Sequence, residues 1–407
     1  MKVLLGHKYF HLTAGNDFFF FETGRVLEQN GHEVAWFSTL DERNRPSEFT
    51  SYFVRPPVYR DGTLLQKMRD FPRMIYSREA KRKFAQLLAD FKPDIVHLFG
   101  IFTQISPSIL DACRAANVPV ILSCNDYKMF CTNYRLHHHG RICEDCKGGR
   151  LYMSVVNKCC QDSWSFSIAS CIEAYAHNTL KIYQKNVHTF LFASEFMASK
   201  QAEFWGEDTF RWRMLKNPFD PMAHPLSEGY DDYCLFFGSL LGIKGVDIIV
   251  KAMSQLPPNM RAVIVGDGPE EANLKALADE LNCENVEFVG PKWGDELTPY
   301  LERARFVLVS SVWHENFPYV ILQAFATGKA VLGADRGGIP ELVRHGEFGL
   351  VYPADDPDAL AEGIRRLWED AESTVNMGKA ARAYVVDEFN DKNFYDTVIE
   401  IYEDVLK

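Results

Sequence analysis

Apolar positions along this chain fall into short runs rich in β-branched and aromatic residues. Each run is followed by a longer segment whose apolar residues recur every three to four positions. That alternation predicts parallel strands joined by helices. In the first half the runs at 2–6, 33–38, 95–99, 118–124 and 189–193 read as strands, with helices over about 17–29, 105–116 and 195–205. The second half repeats the scheme. Strands are expected at 234–237, 261–265, 286–289, 306–312, 330–333 and 349–352, with helices over about 245–255, 269–281, 294–303 and 318–328. Three helical segments, near 357–371, 373–386 and 391–406, close the chain. Asn217-Pro218-Phe219 and the proline-bearing segment to Gly229 follow neither period and read as a linker. The fold class predicted is α/β, as two Rossmann-like, doubly wound parallel-sheet domains.

The stretch 306–345 carries the most chemistry. An apolar run ends in polar residues, a helix opens at Pro318 and closes at Gly328, and a second run leads to Asp335-Arg336-Gly337-Gly338. Strand–loop–helix–strand–loop is half of a nucleotide-binding unit, with both loops on one edge of a parallel sheet. A helix start offers unpaired N–H groups and partial positive charge to a phosphate. Glu315 lies just before that start and Gln323 lies inside the helix, so one suits a polar ligand and the other a sugar hydroxyl. An ordinary strand–helix unit with a glutamate near its cap is the plainer alternative. In the first half, the loop Ala14-Gly15-Asn16 offers a close backbone approach or a simple turn. Asp126, after the strand at 118–124, suits either an acceptor hydroxyl or the capping of a turn.

Length and composition narrow the class. At 407 residues the chain exceeds one compact core, and 47% hydrophobic with 24% charged residues is the balance of a globular enzyme. A net charge of −11 argues against a nucleic-acid partner. Met1 to Gly6 runs directly into a strand with no signal-like segment, so the protein is expected to be cytoplasmic, with reduced cysteines. Six of the ten cysteines fall in 127–171, a stretch without strand alternation. Cys143 and Cys146 form a C-x-x-C knuckle; with Cys131 and either Cys159 or Cys160 they supply the four thiolates of a closed, structural zinc site. His137 to His139 offer substitute ligands, and reduced buried cysteines are the alternative. Residues 67–83 are basic with interleaved Phe71, Met74, Ile75 and Tyr76, which suits peripheral contact with an anionic membrane or a solvated helix face.

Taken in order, these motifs resemble those of the family-four retaining glycosyltransferases of GT-B fold, in a subgroup with a cysteine-rich insertion. Phe237-Gly238-Ser239-Leu240 with Lys244-Gly245 resembles the family's glycine loop and phosphate-binding lysine. Val265-Gly266-Asp267-Gly268-Pro269 is similar to its second nucleotide-facing loop. Glu315-Asn316-Phe317-Pro318 through Gln323 resembles its glutamate–seven residues–glutamate signature, followed by Gly337-Gly338-Ile339-Pro340-Glu341. Gly31-His32-Glu33-Val34, Pro93-Asp94-Ile95-Val96-His97 and Asn125-Asp126-Tyr127 are similar to motifs of its first domain.

The resemblance implies a catalytic set of Lys244, Glu315, Asn125 and Asp126. It implies a donor-binding set of Gly15, Gly238, Ser239, Gly266, Gly268, Lys292, Trp293, Phe317, Pro318, Tyr319 and Gln323. Lys244 would take the charge developing on a nucleoside diphosphate, Glu315 the donor sugar, Gln323 the ribose, and the segment to Trp293 the base. Gly15 would complete the phosphate pocket from the first domain. Residues 1–213 would bind the acceptor, with the insertion at 127–171, and residues 214–388 the donor. A last helix at 389–407 would cross back to the first domain through Phe394, Val398, Ile401, Tyr402 and Val405. The metal set would be Cys131, Cys143, Cys146 and Cys159, structural and not catalytic. The implied activity is metal-independent, retaining transfer from a UDP- or GDP-sugar to a lipid-linked or polysaccharide-assembly acceptor, at the inner face of the membrane. The alternatives are glycosylation of a small soluble metabolite and a non-catalytic sugar-nucleotide scaffold. Three departures stand out: Ser239, Gln323 and Asn125 replace the family's usual arginine, glutamate and histidine.

Overall fold

The computed structural model of the chain describes every residue except 14, 60 and 228 and the side chain of 16, so Ala14 of the predicted glycine loop lies outside the described residues. Two units cluster by contact. One comprises Met1–Arg135, Glu144–Pro218 and Asp391–Lys407, the other Leu136–Cys143 and Phe219–Asn390.

The first unit is built on strands β1 (Lys2–His7), β2 (Glu33–Phe37), β3 (Ile95–Phe99) and β4 (Val120–Cys124). After β5 (His137–His138) and β6 (Arg141–Ile142), a short hairpin of the second unit, come β7 (Thr189–Phe192) and β8 (Trp212–Met214). Its sheet is parallel in the order β2-β1-β3-β4-β7-β8. β3, β4 and β7 are buried at every residue, as a sheet covered on both faces requires. Helices α1 (Gly15–Gln29), α2 (Leu64–Ile75), α3 (Arg78–Phe91), α4 (Phe102–Ile105) and α5 (Ser108–Ala116) precede the insertion. α6 (Met153–Val156), α7 (Trp164–Leu180), α8 (Ile182–Asn186) and α9 (Glu195–Trp205) follow.

The second unit repeats the plan with β9 (Tyr233–Phe237), β10 (Arg261–Val265), β11 (Val286–Gly290), β12 (Val307–Val309), β13 (Val331–Ala334) and β14 (Gly349–Tyr352). These form a parallel sheet in the order β11-β10-β9-β12-β13-β14. Its helices are α10 (Val246–Met253), α11 (Glu271–Glu280), α12 (Thr298–Arg303), α13 (Tyr319–Ala326), α14 (Ile339–Val343), α15 (Pro357–Glu369) and α16 (Ala371–Glu388). The last helix, α17 (Asp391–Leu406), belongs to the first unit. Val398, Ile401 and Tyr402 join a core with Val3, Leu5, Phe19 and Phe99. The Tyr402 hydroxyl lies 2.8 Å from His97 Nδ1, whose Nε2 meets Ser123 Oγ at 2.8 Å.

Four local expectations need correcting. The helix expected over 105–116 starts only at Ser108 as α5, after the separate turn α4, because Ser106 has φ +74° and Pro107 supplies no N–H. The run 306–312 yields only Val307–Val309 as strand. Past it, Ser310 Oγ donates to the Lys244 carbonyl at 2.8 Å and the Val312 N–H to the Ile243 carbonyl at 3.0 Å. Pro318 is the N-cap of α13 with ψ 112°, and not its first helical residue. The basic stretch divides into α2 and α3, and its predicted apolar face turns inward at Met74, which is buried. Part of its charge is used internally. Arg73 pairs with Glu79 at 2.7 Å and with buried Asp70 at 3.4 Å, and Lys83 Nζ meets the Ser51 carbonyl at 3.1 Å. No helix among the described residues is long and apolar enough to cross a membrane.

Candidate active site

In the second unit the sheet order reverses between β9 and β12, and ligands of open α/β sheets gather at the carboxyl ends of strands flanking such a point. The loops there lie too close together for side chains. Gly266 has φ +150°, and a Cβ on it would sit 1.8 Å from the Gly238 carbonyl oxygen. Gly268 would strike the Leu240 carbonyl at 2.5 Å. The Gly238 N–H donates to the Val265 carbonyl at 3.0 Å and the Gly266 N–H to the Gly290 carbonyl at 3.0 Å, so the loops after β9, β10 and β11 are laced into one layer. Across the reversal, Gly245 at φ +63° would meet the Ser310 carbonyl at 2.2 Å. Gly337 at φ +60° would meet the Glu315 carbonyl at 2.1 Å. Backbone approach requires all four glycines, and at Gly245, Gly266 and Gly337 the positive φ requires them as well.

That lacing brings together two side chains 71 residues apart. Lys244 Nζ lies 2.6 Å from Glu315 Oε1, which also accepts from Ser311 Oγ at 2.7 Å and Trp313 Nε1 at 2.9 Å. Glu315 is buried, whereas Lys244 keeps about a quarter of its side chain exposed. Burial alone would raise the Glu315 pKa; the Lys244 ammonium and the three hydrogen bonds outweigh it and hold the carboxyl below its ordinary range. The arrangement is a fixed anion holding a reachable cation at the ligand edge of the sheet.

Other sequence-predicted residues are placed with varying directness. Gly238 and Ser239 follow β9, and Gly266 and Gly268 follow β10. Phe317 is buried, with its ring centroid 5.9 Å from that of Phe389. Pro318 and Tyr319 open α13, and Gln323 is half-buried within it. Lys292 and Trp293 follow the Gly290 turn; Lys292 is half-buried and Trp293 is 74% exposed.

Residues 223–384 match the family model described as glycosyl transferases group 1. That segment is similar to group 1 glycosyltransferases. The chain is 32% identical over 168 residues to N-acetyl-alpha-D-glucosaminyl L-malate synthase of Bacillus anthracis, covering 40% of this chain and 43% of that protein. It is 34% identical over 169 residues to the amylovoran biosynthesis glycosyltransferase AmsK of Erwinia amylovora, covering 39% of this chain and 42% of that one. The alignments thus span less than half the length of these relatives. A crystal structure of Anabaena HepE in complex with UDP is similar in fold, with TM-score 0.65 and 17% identity over 99% of this chain and 100% of that chain. Both sheets of the present protein are of this GT-B class.

The first unit places its own polar groups at the carboxyl ends of β1 and β4. Asn125 and Asp126 directly follow β4, and Gly15 is the first residue of α1. Burial raises the Asp126 pKa, against the pull of Lys8 and Lys128. Behind it lies an ion pair that sequence reasoning missed. Lys128 Nζ meets Glu173 Oε2 at 2.9 Å, Glu173 is 1% exposed, and Thr103 Oγ1 lies 3.2 Å from its other oxygen. Also missed is buried His7, at the end of β1, 3.5 Å from Asp17 in the first turn of α1. Burial, opposed by Asp17, lowers the His7 pKa to about 4. Neither pair carries a local motif, since the partners lie on separate elements.

Of the predicted metal set, Cys131 and Cys143 are buried, and Cys146 and Cys159 are partly exposed. Cys160 Sγ lies 3.6 Å from the Thr132 carbonyl and beside Lys128.

Proposed function

We propose that the protein is a retaining glycosyltransferase that moves a sugar from a UDP- or GDP-sugar to a lipid-linked or polysaccharide-assembly acceptor. The observation that carries this reading is the Lys244–Glu315 pair beside the laced glycine loops. In transfer, the bond between the sugar's anomeric carbon and the diphosphate oxygen breaks, and its electron pair leaves with the diphosphate. The acceptor oxygen bonds the anomeric carbon from the same face, and its proton passes to the departing phosphate. The protein's task is then positioning and charge stabilisation. Lys244 moves from Glu315 toward the diphosphate, Gly238 admits phosphate close to backbone, and the start of α13 faces it. Glu315 holds the donor sugar and Gln323 the ribose, while Asn125 and Asp126 orient the acceptor hydroxyl. In the same reading Cys131, Cys143, Cys146 and Cys159 hold a zinc that braces the insertion.

The test is a thermal-shift screen with UDP-, GDP- and ADP-sugars, followed by an assay for slow donor hydrolysis. One class is expected to raise the melting temperature and to be hydrolysed. Lys244→Ala is expected to reduce turnover at least ~100-fold, as loss of a preorganised charge-stabilising donor does. Binding without turnover of every donor would favour the scaffold alternative, and near-normal turnover by Lys244→Ala would remove the assigned role.

A further inference from the structure

Helix α7 is amphipathic with its polarity reversed. Its buried face consists of Ser167, Cys171, Glu173 and His177. Each polar member has a partner inside the first unit. Ser167 Oγ accepts the Cys160 N–H at 3.1 Å, Glu173 pairs with Lys128, and His177 Nε2 lies 2.8 Å from the Ile75 carbonyl. Its exposed face carries Trp164, Ile168, Ile172 and Tyr175, spaced to form one stripe. A surface helix of a globular unit ordinarily shows the opposite arrangement.

The neighbouring elements extend the stripe. α2 runs beside α7: Lys67 Nζ stands 5.8 Å from the Phe166 ring centroid at one end, and Ile75 meets His177 at the other. At that first end, Leu64, Leu65 and Met68 are largely in solvent, Leu65 by 79%, even though a Thr63–Gln66 capping box fixes the helix start. On the other side, the Tyr152 N–H donates to the Tyr175 hydroxyl at 3.3 Å, and Tyr152 and Val156 are more than half exposed. Exposed apolar residues so concentrated on adjacent helices of one unit mark an interaction surface. The rim is basic. Lys158 lies 5.0 Å from the Trp164 ring centroid, and Lys67, Arg69, Arg150 and Lys181 border the same helices. Asp61 and Asp162 are the exposed acids that flank them in sequence. In a chain of net charge −11, this rim runs against the overall sign.

We propose that the exposed faces of α2, α6 and α7 form a docking surface for an anionic lipid bilayer. Tryptophan, tyrosine and branched aliphatic side chains enter the interface, and the lysines and arginines around them meet acidic headgroups. The surface lies wholly in the first unit and does not depend on the identity of the donor.

The test uses the full chain with vesicles of phosphatidylcholine alone or with phosphatidylglycerol added, whose negative surface potential attracts lysine and arginine. Sedimentation is expected to capture the protein on the anionic vesicles at least tenfold more strongly, with partial loss in high salt. The triple changes L64E/L65E/M68E and W164E/I168E/I172E are each expected to weaken capture at least tenfold. Unchanged thermal unfolding would show that these exposed changes leave the fold intact. Brominated lipid is expected to quench tryptophan emission in the parent and less in Trp164→Phe. Absence of capture by anionic vesicles overturns the proposal. So does a parent dimer in solution that both triple variants dissociate, because a second copy would then be the occupant.

Discussion

The Lys244–Glu315 contact makes a quantitative demand on stability. Glu315 Oε1 receives three donors, of which Lys244 is the only charged one. Lys244→Met removes that charge and leaves a buried carboxylate with the Ser311 and Trp313 donors. Removing one partner of a buried pair costs about 3–5 kcal/mol when the other is left uncompensated. The two remaining hydrogen bonds and the partial hydration of Lys244 reduce this to about 2–3 kcal/mol. Glu315→Gln leaves an ammonium that can turn to water and should cost about 1 kcal/mol. The double variant K244M/E315Q should then be less destabilised than the sum of the two, by a coupling of about 1.5–2 kcal/mol. Urea unfolding of all four proteins reads this directly.

The pH dependence has a definite sign. In the parent the folded Glu315 pKa is depressed, so its contribution is full above the ordinary carboxylate value of 4.5 and is lost as pH falls through the folded value. In K244M burial dominates and raises that pKa, so the variant gains relative to the parent on acidification. The stability gap between them should narrow from pH 7 toward pH 5. A coupling below about 0.5 kcal/mol, or a gap that does not change with pH, would refute this account of the pair.

Further outcomes can be checked independently. Gly266→Ala places a methyl 1.8 Å from the Gly238 carbonyl at φ +150°; it should cost more than about 2 kcal/mol in denaturant unfolding and abolish any donor-induced thermal shift. Changing Cys143 and Cys146 to Ser should remove about one zinc per chain by elemental analysis; metal-free parent protein would leave the thiols as ordinary cysteines. His97 is buried with its pKa lowered to about 3, and His7 to about 4, so folded protein binds fewer protons than unfolded below pH 6.5. Stability should be full above pH 6.5 and fall by as much as ~3 kcal/mol per histidine by pH 4. His97→Gln should flatten that slope, and an unchanged slope would exclude His97 as a source.

The alternating strands and helices were legible because parallel strands buried on both faces read as continuous apolar runs, and β3 (Ile95–Phe99) and β10 (Arg261–Val265) fall where the pattern put them. β12 was over-read at 306–312, because Ser310 and Val312 leave the ladder to bond the Lys244 loop, a tertiary contact with no local signature. α7 was missed because the period of its exposed apolar residues falls within a cysteine-rich stretch and its inner face is polar. At the site, Lys244 and Glu315 each carried a motif, but their mutual contact did not, since backbone proximity at Gly245 and Gly337 creates it. Lys128–Glu173 and His7–Asp17 were invisible for the same reason.

The return of α17 to the first unit has a consequence for biosynthesis. Val398, Ile401 and Tyr402 complete a hydrophobic interior that begins at Val3, and Tyr402 reaches His97 at its centre. The portion of the polypeptide made first therefore cannot close until residues some four hundred positions later have left the ribosome, while the intervening sheet already has all its strands. Nascent chains arrested before residue 398 should expose the early interior to chaperones and proteases.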